Sequence, residues 1–149
     1  FDIIAIPFSC LGINDMPEST WIPEPTEATR PFFEGIKHGK LRLQYCSDCK
    51  TWHYPLVRIC NACGSNAIDW RDTKGEGVVY SHGRLQRVSH PRHEGRLPIV
   101  VAQVDIDEGL RLFTNIVGTP PDQIKVGDSV TLDFEHLPDD GLLPVFRVI

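Results

Sequence analysis

No stretch of this 149-residue sequence approaches the roughly 18 consecutive apolar residues that a membrane-spanning helix needs. The first ten residues, FDIIAIPFSC, are apolar but lack the positively charged start of a signal peptide. The chain is therefore expected to be cytoplasmic, with no membrane partner. Basic residues are in deficit: 15 Lys and Arg stand against 20 Asp and Glu, giving a net charge of −5 and a pI of about 5.6. That balance argues against a general polyanion binder and leaves room only for a local basic patch. Catalytic signatures are missing as well. There is no Ser-His-Asp ordering, no nucleophile elbow, no phosphate loop and no free cysteine beside a plausible base. Methionine occurs once, at Met16. The segment beginning there, MPESTWIPEP, reads like a natural protein start. Residues 1–15, with Cys10, are accordingly expected to be either an upstream extension or a segment foreign to the natural chain.

Hydrophobic residues make up 41% and charged residues 23%, a globular balance at a length that suits one ordinary domain or two very small ones. Four of the five cysteines fall within CSDCKTWHYPLVRICNACGS, residues 46–65. They form two Cys-x-x-Cys pairs, Cys46 with Cys49 and Cys60 with Cys63. Disulfides belong mostly to oxidising compartments, of which the sequence gives no sign. A redox dithiol calls for a single pair in a βαβ context. Two pairs at this spacing point to two knuckles that together hold one zinc ion with four thiolates. Such a site is closed to water and substrate, so the zinc is expected to be structural. His53, between the pairs, is expected to be an ordinary loop histidine.

The flanking pattern suits a zinc ribbon over 41–73. KLRLQYC alternates apolar and polar residues into the first knuckle, Gly64 and Ser65 supply a turn after the second, and AIDWRD reads as a short return strand. Ahead of it, 25–40 is expected to be helical. Thr26 or Thr29 is placed to cap it, Pro31 suits its first turn, Phe32, Phe33 and Ile36 lie on one side, and Gly39 ends it. Residues 1–24 form the extension and a proline-rich arm containing Trp21. From 74 to 149 the pattern is β, with strands expected at 77–90 (interrupted by Gly83), 98–107, 111–118, 129–137 and 142–149. Turns fall at 107–109 and 139–141, and 119–128 reads as a turn or single helical turn. The fold class is mainly β: a helix, a four-cysteine ribbon and a five-stranded barrel of the OB type, with a small β-sandwich as the alternative.

This order resembles an acyl-CoA-associated family that joins an N-terminal helix, a rubredoxin-like zinc ribbon and an OB-fold. The resemblance runs from Pro25 to Phe146 through TRPFFEG, YCSDC, CNACGS, GEGVVYS, VVAQVDIDEGLRLFTNIVG, VGDSVTLDFE and LPVFR. The sequence departs at Lys50, where the family often has glycine, and at Asn61, where proline is common. The resemblance implies a non-catalytic subunit. It would assemble with a thiolase-like or hydratase enzyme as a hetero-oligomer and assist acyl-CoA binding or complex assembly in thiolysis, retro-aldol or acyl-transfer chemistry.

Three further features bear on binding. Trp21, Phe32 and Phe33 could dock on a partner or pack on the chain itself. The segment 81–96 carries Arg84, Arg87, Arg92 and Arg96 with three histidines and one acid, and could meet the phosphates of coenzyme A, an acidic partner surface or only water. Asp105, Asp107 and Glu108 cluster at a hairpin and read as solvated turn residues. Zinc ribbons and OB-folds also serve nucleic-acid binders. That alternative requires exposed aromatics and a positive groove, whereas Phe134 alternates as core and the net charge opposes it.

Overall fold

A computed structural model describes residues 23–87, 95, 97–137 and 141–149. Helix α1 runs Arg30–Lys37, shorter than the 25–40 expected. Thr29 is its N-cap residue, but the Thr29 hydroxyl pairs with that of Thr26 at 3.0 Å instead of capping the helix. The Thr26 carbonyl accepts the Arg30 N–H at 2.9 Å, so the residues before the helix form a turn. At the other end, Lys40 N–H donates to Gly35 and Gly39 N–H to Ile36, both at 2.9 Å, the paired bonds of a Schellman terminus.

The ribbon is a three-stranded antiparallel sheet, with β1 (Arg42–Cys46) between β2 (Trp52–His53) and β3 (Ile68–Asp72). Strand β2 leaves no signal in the sequence, because two residues carry no periodicity. Leu41 and Leu43 point into the core as the alternation requires. Gln44 beside Leu43 is buried too, and its side-chain oxygen accepts the Val57 N–H at 2.7 Å, fixing the loop between the knuckles.

The remaining strands are β4 (Glu76–Leu85), β5 (Ile99–Ile106), β6 (Arg111–Ile116), β7 (Ser129–His136) and β8 (Leu142–Val148). They close a barrel in the order β4-β5-β6-β8-β7, with β7 returning to β4. All pairs are antiparallel except β6 with β8, where Ile116 faces Phe146 and Val117 N–H donates to Phe146 at 2.9 Å. That closure makes the unit an OB-fold barrel, not a sandwich. The expected break at Gly83 is absent: Gly83 pairs regularly with Val101. The irregularity lies at Tyr80, between the pairs Val79–Val104 and Ser81–Gln103. The bulge there bends β4, which pairs with β7 at its start and with β5 along its length.

Val79, Val104, Val130 and Phe146 fill the barrel, and Leu41 and Leu43 of the ribbon belong to the same buried cluster. Ribbon and barrel thus share one core, with α1 packed on β1, β3 and β8. No helix among the described residues is long and apolar enough to cross a membrane.

Candidate metal centre and apolar groove

The two knuckles are built alike. In the first, Cys46 N–H donates to Thr51 at 2.8 Å and Lys50 N–H to Cys46 at 2.9 Å; in the second, Cys60 N–H donates to Ser65 at 2.8 Å and Gly64 N–H to Cys60 at 2.9 Å. The equivalent residues Lys50 and Gly64 both have left-handed backbones, with φ of 65° and 75°. Only glycine adopts this conformation without cost, so the first knuckle carries at Lys50 a backbone strain that the second avoids with Gly64. The Ser65 hydroxyl donates to Asp48, tying the knuckles together.

This geometry brings the sulfurs of Cys46, Cys49, Cys60 and Cys63 within 4.8 Å of one another. All four cysteines are free of disulfides, with Cys46 and Cys60 buried and Cys49 and Cys63 at the surface. Four thiols converging in this way fit a tetrahedral zinc ion, which these residues would hold. Without a cation the cluster cannot ionise evenly. Cys49 is held down at about 6, first by hydrogen bonds with Thr51 and then by Cys60 and Cys63, against desolvation. Cys63 is pushed up to about 12: the Ser65 backbone pulls it down, but Cys49, desolvation, Cys60 and Cys46 outweigh that pull. A divalent cation removes this conflict by favouring thiolate at every position.

His53 is not the loop histidine expected from the sequence. It lies in β2, is buried, and places Nε2 3.3 Å from the Cys60 sulfur. Sequence spacing carries no signal for this contact, which arises because β2 folds back on β1 with His53 opposite Gln44.

His53 also lines a groove of about 240 Å³ between α1 and the ribbon, with Phe32, Phe33, Tyr54, Leu56 and Trp70. Around Phe33 and Tyr54 lies a second hollow of about 370 Å³, walled on the barrel side by Phe113, Leu143 and Pro144. Phe32 and Phe33 meet edge to face at 5.3 Å, and Phe32 packs against the core. Both are half-buried, so the more exposed apolar groups here are Tyr54, 51% exposed, and Phe113, 71% exposed. Phe113 is among the barrel aromatics that a stacking face would use, whereas Tyr54 was not expected from the sequence as a surface aromatic. Trp21 lies outside the described residues.

Of the expected basic cluster, Arg84 is exposed near the end of β4 and Arg87 is exposed just beyond it, while Arg92 and Arg96 lie outside the described residues. Several other charges among the described residues are committed to ion pairs. Asp105 is held below the usual carboxylate range by Arg111, whose Nε is 2.6 Å away and whose guanidinium lies 3.1 Å from the Tyr80 ring centre. Asp72 is lowered in the same way by Arg42. Asp133 is lowered first by the Phe134 N–H and then by Arg147. Asp107 pairs with Lys74, and Glu108 accepts the Lys74 N–H, so the hairpin carboxylates serve the turn. Arg111 beside Tyr80 and Phe113 is thus neutralised by Asp105, which weakens a nucleic-acid reading of this face.

Two family models match the chain: the ChsH2 rubredoxin-like zinc ribbon domain over residues 33–69 and the ChsH2 C-terminal OB-fold domain over 70–135. A solved structure described as Ltp2-ChsH2(DUF35) aldolase is similar with a TM-score of 0.75 at 38% identity, over 85% of this chain and 98% of that one. A probable enoyl-CoA hydratase alpha subunit of Thermomonospora curvata is 41% identical over 116 residues, 78% of this chain and 36% of the relative. The chain thus spans little more than a third of that relative's length. A DUF35 domain-containing scaffold protein of Methanothermobacter thermautotrophicus is 29% identical over 119 residues, 78% of this chain and 87% of the relative. With its helix, four-cysteine ribbon and closed five-stranded barrel in this order, the chain belongs to the ChsH2 family of zinc-ribbon and OB-fold proteins.

Proposed function

We propose that this chain is a non-catalytic subunit that assembles with a thiolase-like or hydratase enzyme and supports its action on acyl-CoA. The observation that carries the reading is the likeness, at 38% identity, to a chain of an aldolase structure across 98% of that chain. The relatives named as a hydratase subunit and as a scaffold protein point the same way. The site chemistry agrees. The described cysteines converge on one another, and three described aspartates are locked to arginines. In this reading Cys46, Cys49, Cys60 and Cys63 hold one structural zinc. The hollow around Phe32, Phe33 and Phe113 receives the enzyme, with Trp21 preceding it in the chain. Arg84, Arg87, Arg92 and Arg96 meet either coenzyme A phosphates or an acidic partner surface.

Co-expression with a thiolase-fold or hydratase subunit from the same genome tests the proposal. The two chains should co-purify, and this chain alone should turn over no member of an acyl-CoA panel. Turnover by the isolated chain overturns the reading. So does retardation of single-stranded nucleic acid at physiological salt together with failure to bind either enzyme class. Elemental analysis of freshly purified, reduced protein should give one zinc per chain, and Ser at any of the four ligands should abolish it and disorder the ribbon.

A further inference from the structure

We propose that His53 is part of the metal site, as the group that donates a hydrogen bond from Nε2 to the Cys60 sulfur and holds that thiolate in place. Cys60 is only 2% exposed, so its charge would be deprived of water when metal-bound. Buried charge is costly unless hydrogen-bonded. A metal-bound thiolate has no proton to give, so the 3.3 Å contact must run from N–H to sulfur, and this fixes the Nε2–H tautomer.

Position supports the assignment. Four sulfurs already complete the ligand set, and His53 stands outside it with its ring aimed at one of them. His53 as a residue is 8% exposed and is held by β2, where it faces Gln44. A second donor comes from the same stretch: Thr51 Oγ1 lies 3.2 Å from the Cys49 sulfur. When Cys49 is a thiolate, the hydroxyl is the only possible donor in that pair. Residues 51–53 therefore serve one sulfur from each knuckle. A zinc ion with four thiolates is a net anion, and donors of this kind spread its charge and orient its ligands. Loss of such partners typically lowers metal affinity by about 10–100-fold.

The inference rests on the zinc reading of the four cysteines, and the test separates the two. The chain is loaded with cadmium-113 and studied by NMR without any substitution. A four-thiolate cadmium resonance, with a His53 Nε2–H proton coupled to the metal through the sulfur, is the expected result. The same resonance with an unprotonated His53 Nε2 overturns the inference and leaves the zinc site intact. Failure to bind cadmium or zinc overturns both. In parallel, His53→Phe keeps the ring and removes the donor. Zinc transfer from it to a chromogenic chelator should be about 10–100-fold faster than from the parent. Leu56→Ala, in the same groove wall, should stay within roughly twofold, as a substitution at a partly exposed position. Equal rates for His53→Phe and the parent overturn the proposal; should that variant fail to fold, the NMR result on the unaltered chain decides.

Discussion

At the scale of single residues, the matched knuckles make a controlled comparison. Lys50 and Gly64 close equivalent turns with φ of 65° and 75°. A left-handed backbone costs a residue with Cβ roughly 1–2 kcal/mol, partly offset because glycine loses more freedom on folding. Lys50→Gly should therefore stabilise the zinc-loaded protein by up to about 1 kcal/mol, and Gly64→Ala should destabilise it by a similar amount. Thermal melting of the two variants beside the parent measures both signs. A Lys50→Gly variant that melts lower would mean that the hydrogen bond from Lys50 Nζ to the Ser47 carbonyl outweighs the backbone term. The four cysteines are legible in the sequence because ligand spacing is itself the signal. His53 is not, since its role depends on which strand folds back beside it.

At the scale of elements, β4 shows what alternation can and cannot reveal. Its existence is legible from GEGVVYS, and it begins within one position of expectation. The place of its bend is not legible, because a bulge at Tyr80 is set by pairing with β5 and leaves no compositional trace, while Gly83 suggests a break by residue type alone. The glycine that matters sterically is Gly77, facing Ile106: a Cβ there would lie 2.5 Å from the Asp105 carbonyl oxygen. Gly77→Ala should cost at least about 1–3 kcal/mol, as overpacking does, and show as a lower denaturation midpoint with an unchanged slope. Charge pairs between strands are a smaller effect. Arg147 bonds Asp133 across β7 and β8, with side chains 50% and 33% exposed, so Asp133→Asn should cost under about 1 kcal/mol at neutral pH. The folded pKa of Asp133 is depressed, so its contribution is complete above the unfolded value of about 3.9 and fades as pH falls through the folded one. The stability gap between parent and Asp133→Asn should therefore close in acid. A gap that persists would assign it to the hydrogen bonds of the neutral group, not to the charge.

At the scale of the whole molecule, the hydrophobic core joins what the sequence presents as successive units. Leu41 and Leu43 leave the ribbon to join Val79, Val104 and Phe146 in one cluster, and α1 closes over the seam. The apolar hollow on that seam cannot be read from sequence, because its walls come from α1, the knuckle loop, β6 and β8. Phe32 and Phe33 are visible as an aromatic pair, but only the fold separates their duties from that of Phe113. Phe32 packs on the core, so Phe32→Ala should lower the melting temperature of the chain by itself. Phe113 is 71% exposed and carries little of the fold, so Phe113→Asp should melt within a few degrees of the parent, as surface changes do. If this face receives the enzyme, a charge placed there should weaken the complex by more than about 2 kcal/mol, a roughly 30-fold rise in Kd. Calorimetric titration of the parent and Phe113→Asp into the enzyme subunit measures the difference. Equal affinity would move the interface off this hollow while leaving the subunit role untouched. A loss for Phe113→Asp without any loss of zinc or thermal stability would assign binding to the seam between ribbon and barrel, where neither unit alone presents the whole surface.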